Sequence, residues 1–203
     1  MKAPTDEAYG ELQRAYNYFR VELFRSEVPH CLITLPQTSN RVMGYFSPSR
    51  FERKTGRETD ELAMNPAHLR NRPLMEVLST LVHEMCHVWQ HHKGKPGRGR
   101  YHNRQWGTKM KEVGLQPSHT GKPGGRETGD HMTHYIVAGG QFEVQARRLI
   151  ASGFKISWAS DLLPVRPTRA KYTCPGCGVN VWGKPNLKIT CGDCQKRFCW
   201  LSD

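Results

Sequence analysis

The most strongly patterned part of the chain is the stretch 74–92. On a helix at 100° per residue, its polar side chains gather on one stripe and apolar side chains cover the rest. The stripe contains Glu76, Ser79, Thr80, His83, Glu84, His87, Gln90 and His91. We therefore predict a core helix with Asn71 or Arg72 as its cap. Its stripe must face something that accepts two imidazoles and a carboxylate away from bulk water, and a metal ion is the simplest such group.

Helices and short strands are predicted along the rest of the first 163 residues. The predicted helices cover residues 5–27, 103–113 and 142–150. The predicted strands cover residues 31–35, 42–46 and 61–65, with a polar turn at 37–41 and a turn-like segment at 51–60. We expect 61–65 to be an edge strand beside the central helix. The polar, glycine-rich stretch 116–130 is predicted to be a surface excursion.

The spacing of His83, Glu84 and His87 indicates a catalytic zinc site. Histidines four residues apart project from one face of a helix, so both can bind one zinc ion. The carboxylate directly after the first histidine lies beside the metal, where it can take a proton from water. Such a site needs a third protein ligand.

Several residues could supply the third ligand. His91 lies about 12 Å along the axis from His83, at 1.5 Å per residue, which is too far. His102 is favoured because it follows a glycine-rich basic loop, residues 93–104, that can return the chain across the central helix. Glu112 and His119 remain alternatives.

Four cysteines near the C-terminus predict a second, structural zinc site. Cys174 and Cys177 form one Cys-x-x-Cys pair, and Cys191 and Cys194 form another. Two such pairs complete a closed tetrahedral site. Residues 179–182 and 187–190 alternate as strands of a small ribbon, and the proline-containing stretch 164–168 is a predicted linker. We expect Cys31, Cys86 and Cys199 to be packed rather than metal-bound.

Charge favours a polyanionic partner. The chain has 30 Lys and Arg against 18 Asp and Glu, a formal net charge of +12. Such a balance is typical of proteins that bind nucleic acid. Cations interleaved with aromatic side chains suit single-stranded or locally unpaired DNA. The predicted contact residues are Lys95, Arg98, Arg100, Arg104, Lys184, Lys188, Arg197, Trp182 and Trp200.

Membrane insertion and secretion are not expected. No apolar run approaches the roughly 18–20 residues that a membrane helix needs, and the N-terminal residues do not resemble a signal peptide. Paired cysteines with metal-binding spacing indicate a reducing compartment. The prediction is a cytoplasmic, nucleoid-associated protein, and a monomer.

The segments 81–90 and 101–106 resemble the SprT-like metalloproteases, the family of the Spartan-type DNA–protein crosslink proteases. The resemblance rests on Leu-Val-His-Glu-Met-Cys-His-Val-Trp-Gln followed by Tyr-His-Asn-Arg-Gln-Trp. It implies an α+β fold: a zincin-like metalloprotease domain over residues 1–163, with a small antiparallel sheet packed on helices, and a zinc ribbon over 170–203. It also implies that His83, His87 and His102 bind the catalytic zinc and that Glu84 is the general base. His131, His134 and Tyr135 are candidates for stabilising the oxyanion or for a surface role.

The predicted function is that of a zinc endopeptidase, with two zinc ions per chain, recruited to DNA to hydrolyse DNA-bound or DNA-crosslinked proteins. The alternative is a nucleic-acid-binding regulatory protein whose zincin core is catalytically idle. The intact Glu84 argues against that alternative, because a binding module has no need of this carboxylate. A nuclease is disfavoured because the chain lacks the carboxylate cluster of two-metal phosphoryl chemistry.

Overall fold

The computed structural model describes residues 2–37, 42–161 and 169–200 of the chain. The chain divides into two compact units, Met1–Leu163 and Pro164–Asp203. The predicted linker at 164–168 and most of the predicted turn at 37–41 lie outside the described residues. Within the described part, no helix is both long enough and apolar enough to span a membrane.

The first unit is a mixed arrangement of helices and small sheets. Its described helices are α1 (Pro4–Glu22), α2 (Leu74–Lys93), α3 (Arg104–Glu112) and α4 (Gln141–Ala151), with a 3-10 turn at Pro66–His68. Its described strands are β1 (Leu32–Thr34), β2 (Gly44–Glu52), β3 (Glu58–Met64), β4 (Leu115–Ser118) and β5 (Thr133–Ile136).

The three-stranded sheet beside α2 has the order β1-β3-β2. β3 runs parallel to β1 and antiparallel to β2. The expected small antiparallel sheet is therefore wrong in detail, because the sheet is mixed. The expectation that 61–65 is an edge strand is also wrong. Leu62, Ala63 and Met64 are all buried because β3 is the central strand, and β2 is an edge.

The hairpin of β2 and β3 includes most of the segment 51–60, for which the sequence predicts a turn. Phe51 pairs with Thr59 and Glu52 pairs with Glu58 across the two strands. The charged side chains of this segment suggest a turn, but they occur in strands here because this end of the hairpin is exposed to solvent. A strand that is exposed on both faces carries little hydrophobic alternation.

The helix α2 forms the centre of the core, as its pattern predicts. Leu81, Val82 and Met85 are fully buried and belong to one cluster with residues of the other three helices. The helix begins differently from the prediction, since neither Asn71 nor Arg72 caps it. The N-cap is Pro73, whose carbonyl accepts hydrogen bonds from Glu76 N at 2.9 Å and Val77 N at 3.1 Å.

A second, two-stranded ladder includes part of the stretch that is predicted to be a surface excursion. β4 and β5 pair antiparallel, with Gln116 opposite Tyr135 and Pro117 opposite His134. Their polar sequences carry no clear strand pattern, so the sequence contains little sign of them. The ladder matters for the site because it fixes the position of His134.

The described residues of the second unit form three short strands in the order β7-β6-β8: β6 (Ala170–Thr173), β7 (Asn180–Gly183) and β8 (Cys199–Trp200). β7 corresponds to the predicted strand at 179–182. No strand forms at 187–190; there only Thr190 makes an isolated bridge, with Arg197. Tyr172 is the buried centre of this small sheet, and its hydroxyl accepts from Leu187 N at 2.8 Å and donates to Lys184 O at 2.7 Å.

Candidate metal centres

Three histidine nitrogens converge beside α2. His83 and His87 lie on one face of the helix, and His102 approaches them from the segment before α3. Their ligand atoms all lie within 4.8 Å of one another. The Nε2 atoms of His87 and His102 are 3.1 Å apart. Two nitrogens in a tetrahedral zinc site with bonds of 2.0–2.1 Å would lie about 3.3–3.4 Å apart. These residues therefore fit a zinc ion.

His102 is held in place by several hydrogen bonds around the basic loop. Its backbone N–H donates to Gly129 O at 2.9 Å, and its carbonyl accepts from Gly129 N at 3.2 Å. The next residue, Asn103, caps α3 by accepting from Trp106 N at 3.1 Å. The buried Gln90 amide donates to Asn103 Oδ1 at 2.6 Å. The loop therefore returns to α2 at a defined point.

The two alternative third ligands lie elsewhere. Glu112 forms a pair with Lys109 at 3.3 Å and is not in the histidine group. His119 accepts a hydrogen bond at Nδ1 from Arg126 N at 2.8 Å. His91 also lies outside the group, as the helical rise predicts.

The three imidazoles are kept neutral, which is the form that binds a metal. Burial, followed by the neighbouring histidines, lowers the pKa of His83 well below its usual value and that of His87 to about 3. Burial also lowers the pKa of His102. Trp106 packs against all three rings, with centroid distances of 4.4–5.3 Å. The Trp106 ring therefore forms a wall on one side of the three imidazoles and shields that side from bulk water.

Glu84 lies beside this group in a tight space between α2 and the edge strand β2. Its side chain is buried, with 6% relative exposure, and burial raises its pKa to about 8. At Gly44, an added Cβ would lie 3.2 Å from Glu84 Cγ and 2.9 Å from Ala63 O. Only glycine lets β2 approach the carboxylate this closely. A cation in the histidine site would favour the ionised form of Glu84.

A further histidine, His134 on β5, contacts the back of the site, and the sequence assigns it no definite role. Its Nδ1 is 3.1 Å from His83 Nδ1, and its Nε2 is 2.9 Å from Ser79 Oγ. The Ser79 hydroxyl donates its only proton to Glu76 O at 2.9 Å. Ser79 must therefore accept from His134 Nε2–H, because a hydroxyl has one proton.

This chain of hydrogen bonds fixes the tautomer of His83. Burial lowers the pKa of His134 to about 4, so its ring is neutral. With the proton on Nε2, His134 Nδ1 accepts from His83 Nδ1–H. The lone pair of His83 then lies on Nε2, available to a metal. Because both nitrogens of His134 are engaged, neither is free to stabilise an oxyanion. Of the other two candidates for that role, His131 is exposed and Tyr135 is half-buried.

Replacing His134 with phenylalanine is expected to weaken zinc binding at the histidine site about 10–100-fold, the usual effect of removing a partner that orients a ligand. Phenylalanine keeps the ring but cannot accept from His83. Competition with a chromophoric chelator measures the affinity. His134→Gln, which retains one acceptor and one donor, should recover part of it, and exposed His131→Phe serves as the control. An unchanged affinity in His134→Phe would show that His134 does not orient His83.

Four cysteines of the second unit form the other metal-donor group. The sulfur atoms of Cys174, Cys177, Cys191 and Cys194 all lie within 4.8 Å of one another. Those of Cys177 and Cys191 are 3.8 Å apart, close to the edge of about 3.8 Å expected for a tetrahedron with Zn–S bonds of 2.3 Å. Backbone N–H groups lower the pKa of Cys174 to about 7, while a side-chain hydrogen bond with Cys177 raises that of Cys194 to about 12. A central cation would let all four ionise.

The other cysteines lie outside this group. Cys31 and Cys86 are buried, as predicted. Cys199 is exposed, so the expectation that it is packed is wrong. It lies on the two-residue strand β8 at the edge of the sheet, where little chain covers it.

The residues predicted to contact DNA are spread over both units, and nearly all of them are exposed. In the loop these are Lys95, Arg98, Arg100 and Arg104, and in the second unit they are Lys184, Lys188 and Arg197. Trp182 is 62% exposed, so it is not the core of its sheet. Trp200 is partly covered and lies 6.2 Å from the Tyr172 ring.

The chain belongs to the SprT-like family. The model of that family matches residues 12–124, more than half of the chain, including all three histidines and Glu84. This confirms the resemblance seen in the sequence, and the family is generally associated with metallopeptidase activity. The chain is also similar to an uncharacterised protein in the mucB 3′ region of Salmonella typhimurium. The two are 52% identical over 60 residues, which cover 29% of this chain and 80% of that protein.

Proposed function

We propose that this chain is a zinc-dependent endopeptidase with a zincin-like catalytic unit, recruited to DNA to hydrolyse proteins that are bound or crosslinked there. The observation that carries the catalytic part is the convergence of His83, His87 and His102 beside the buried carboxylate of Glu84. Membership of the SprT-like family supports the same reaction class.

Each residue of the site has a defined part in this reaction. His83, His87 and His102 would hold the zinc, which when bound supplies a Lewis acid for the peptide carbonyl and for water. Glu84 takes the proton from the attacking water and delivers it to the departing amine nitrogen. Burial and the Trp106 wall keep bulk water from competing for that proton.

The edge strand β2 offers a place for the peptide substrate. Among the described residues, β2 pairs only with β3, so its outer edge is open. An extended peptide can add to such an edge through backbone hydrogen bonds. Because Gly44 on β2 lies against Glu84, a peptide on that edge would pass close to the carboxylate. Backbone recognition suits a protease that selects substrates by location more than by sequence.

Recruitment to DNA rests on charge. The net charge is +12, and the loop that delivers His102 to the site carries the exposed side chains of Lys95, Arg98 and Arg100. The second unit adds exposed cations and the exposed Trp182 ring, which suit phosphates and unpaired bases. DNA held by the loop would bring a crosslinked protein to Glu84.

Reversing two loop charges, Arg98→Glu with Arg100→Glu, is expected to reduce the salt dependence of single-stranded DNA binding. If both cations contact phosphates, the negative slope of log affinity against log salt should become shallower by about 1.4, at roughly 0.7 per contact. Fluorescence anisotropy with a labelled oligonucleotide measures it, alongside cleavage of a protein crosslinked to the same oligonucleotide.

The matched control is Arg148→Glu with Lys155→Glu, which changes the net charge by the same amount at two exposed positions outside the loop. We expect this pair to leave the slope of DNA binding and the cleavage rate close to those of the unmodified protein. If the cleavage rate of the unmodified protein depends on neither DNA nor salt, the recruitment proposal is overturned while the peptidase assignment stays intact.

A further inference from the structure

A third group of metal donors in the first unit, where α2 ends beside β3, shares no residue with the other two groups. It consists of Asp60 on β3 and of His91 and His92 in the last turn of α2. The ligand atoms of these residues all lie within 4.8 Å of one another. His92 Nε2 is 2.6 Å from Asp60 Oδ2, so these two donor atoms are already adjacent.

The carboxylate of this group is pre-organised. Asp60 is 6% exposed, and its Oδ1 accepts from the Ser49 backbone N–H at 2.9 Å, which leaves Oδ2 directed at His92. A buried carboxylate fixed by a backbone donor loses little freedom when it binds a cation. The exposed histidines leave the group open to ions from solvent.

His91 supplies the donor that an ordinary histidine–aspartate pair would lack. Its ring lies 4.9 Å from the His92 ring at an interplanar angle of 90°, and 5.7 Å from the Phe46 ring. Among the described residues, its ring nitrogens make no hydrogen bond. An unpaired imidazole is therefore held beside a pair that is already aligned.

We propose that Asp60, His91 and His92 form an additional binding site for a divalent transition-metal ion such as Zn²⁺ or Ni²⁺. Two imidazoles and one carboxylate, with one position left to water, are a donor set that these ions accept. Binding uses the lone pair of His92 Nε2, so the ring carries its proton on Nδ1 instead of sharing it with Asp60, and His91 joins as the third ligand. The ion would fasten the end of α2 to β3, just before the basic loop begins.

The test compares the metal content of the unmodified protein with that of His91→Ala, after equilibration with excess Zn²⁺ and gel filtration. The unmodified protein should retain one equivalent more, and a Co²⁺ titration should show one additional set of visible absorption bands. His91 is exposed and is not part of the buried core, so the variant should fold. His30→Ala, another exposed histidine, should behave like the unmodified protein.

A second measurement is the imidazole ¹⁵N chemical shifts of His91 and His92, which should change when the last equivalent of Zn²⁺ is added. Equal metal uptake by the unmodified protein and His91→Ala would overturn the proposal. So would an additional equivalent lost equally in His30→Ala, which indicates adventitious binding by surface histidines. The measured quantity is a difference of one equivalent of bound zinc between two variants, so the result does not depend on whether the protein has peptidase activity.

Discussion

Replacing Glu84 with glutamine is expected to lower peptide hydrolysis about 10²–10⁴-fold, the usual contribution of a positioned general base. Glutamine has nearly the same shape, so it keeps the contact with Gly44, but its amide cannot take a proton from water. The zinc content should not change, because Glu84 is not in the histidine ligand group. The measurement is cleavage of a protein substrate, with metal analysis and thermal unfolding of the same samples.

The control for this variant is Glu112→Gln, which also replaces a helical carboxylate, here at the end of α3. Glu112 is half exposed and pairs with Lys109, so its loss should change neither cleavage nor zinc content. Cleavage that persists in Glu84→Gln would remove Glu84 from its proposed role. Absence of cleavage in the unmodified protein, with DNA binding intact, would favour the catalytically idle alternative.

The central helix shows how much of the site follows from sequence. Periodicity alone places His83, Glu84 and His87 on one polar stripe of an otherwise apolar helix, and the structure buries that helix in the core. The rise per residue excludes His91. The structure then brings in His102, the favoured third ligand, because the loop contains the turns that return the chain and because Gln90 on α2 fastens its far end.

The strands and His134 cannot be predicted in the same way. The local pattern suggests that 61–65 is an edge strand, because its polar and apolar residues alternate only weakly. Which strand is central depends on long-range pairing that a local pattern does not contain. His134 reaches His83 only through the β4–β5 ladder, and it contacts Ser79, which lies 55 residues earlier. Its sequence context, Thr-His-Tyr-Ile, contains no sign of a partner so far away.

The second unit shows the same division between spacing and topology. The two Cys-x-x-Cys pairs predict which four sulfur atoms converge, since each pair presents two thiols from one tight turn. The strands that carry those turns are only partly predictable. Residues 187–190 alternate like a strand, but Leu187 N instead donates a hydrogen bond to the Tyr172 hydroxyl. The strands that pair in the sheet include 170–173 and 199–200.

Replacing Cys174 with serine is expected to unfold the second unit while the first stays folded. A unit of this size cannot derive much more than about 3–5 kcal/mol from its own core. Apparent zinc-binding free energies in small structural sites are about 10–16 kcal/mol, so the metal supplies most of the stability. One equivalent of zinc should be lost. In a ¹H–¹⁵N spectrum, the signals of residues 169–200 should collapse to the narrow range of an unfolded chain.

Cys199→Ser is the matched control, because Cys199 is exposed and lies outside the four-cysteine group. It removes a thiol from the same unit and should leave both the zinc content and the spectrum unchanged. If Cys174→Ser keeps a dispersed spectrum after losing its zinc, the fold of this unit does not depend on metal. If the unit unfolds and affinity for single-stranded DNA stays the same, the basic loop beside His102 is sufficient for recruitment, and the ribbon cations and Trp182 are not needed for it.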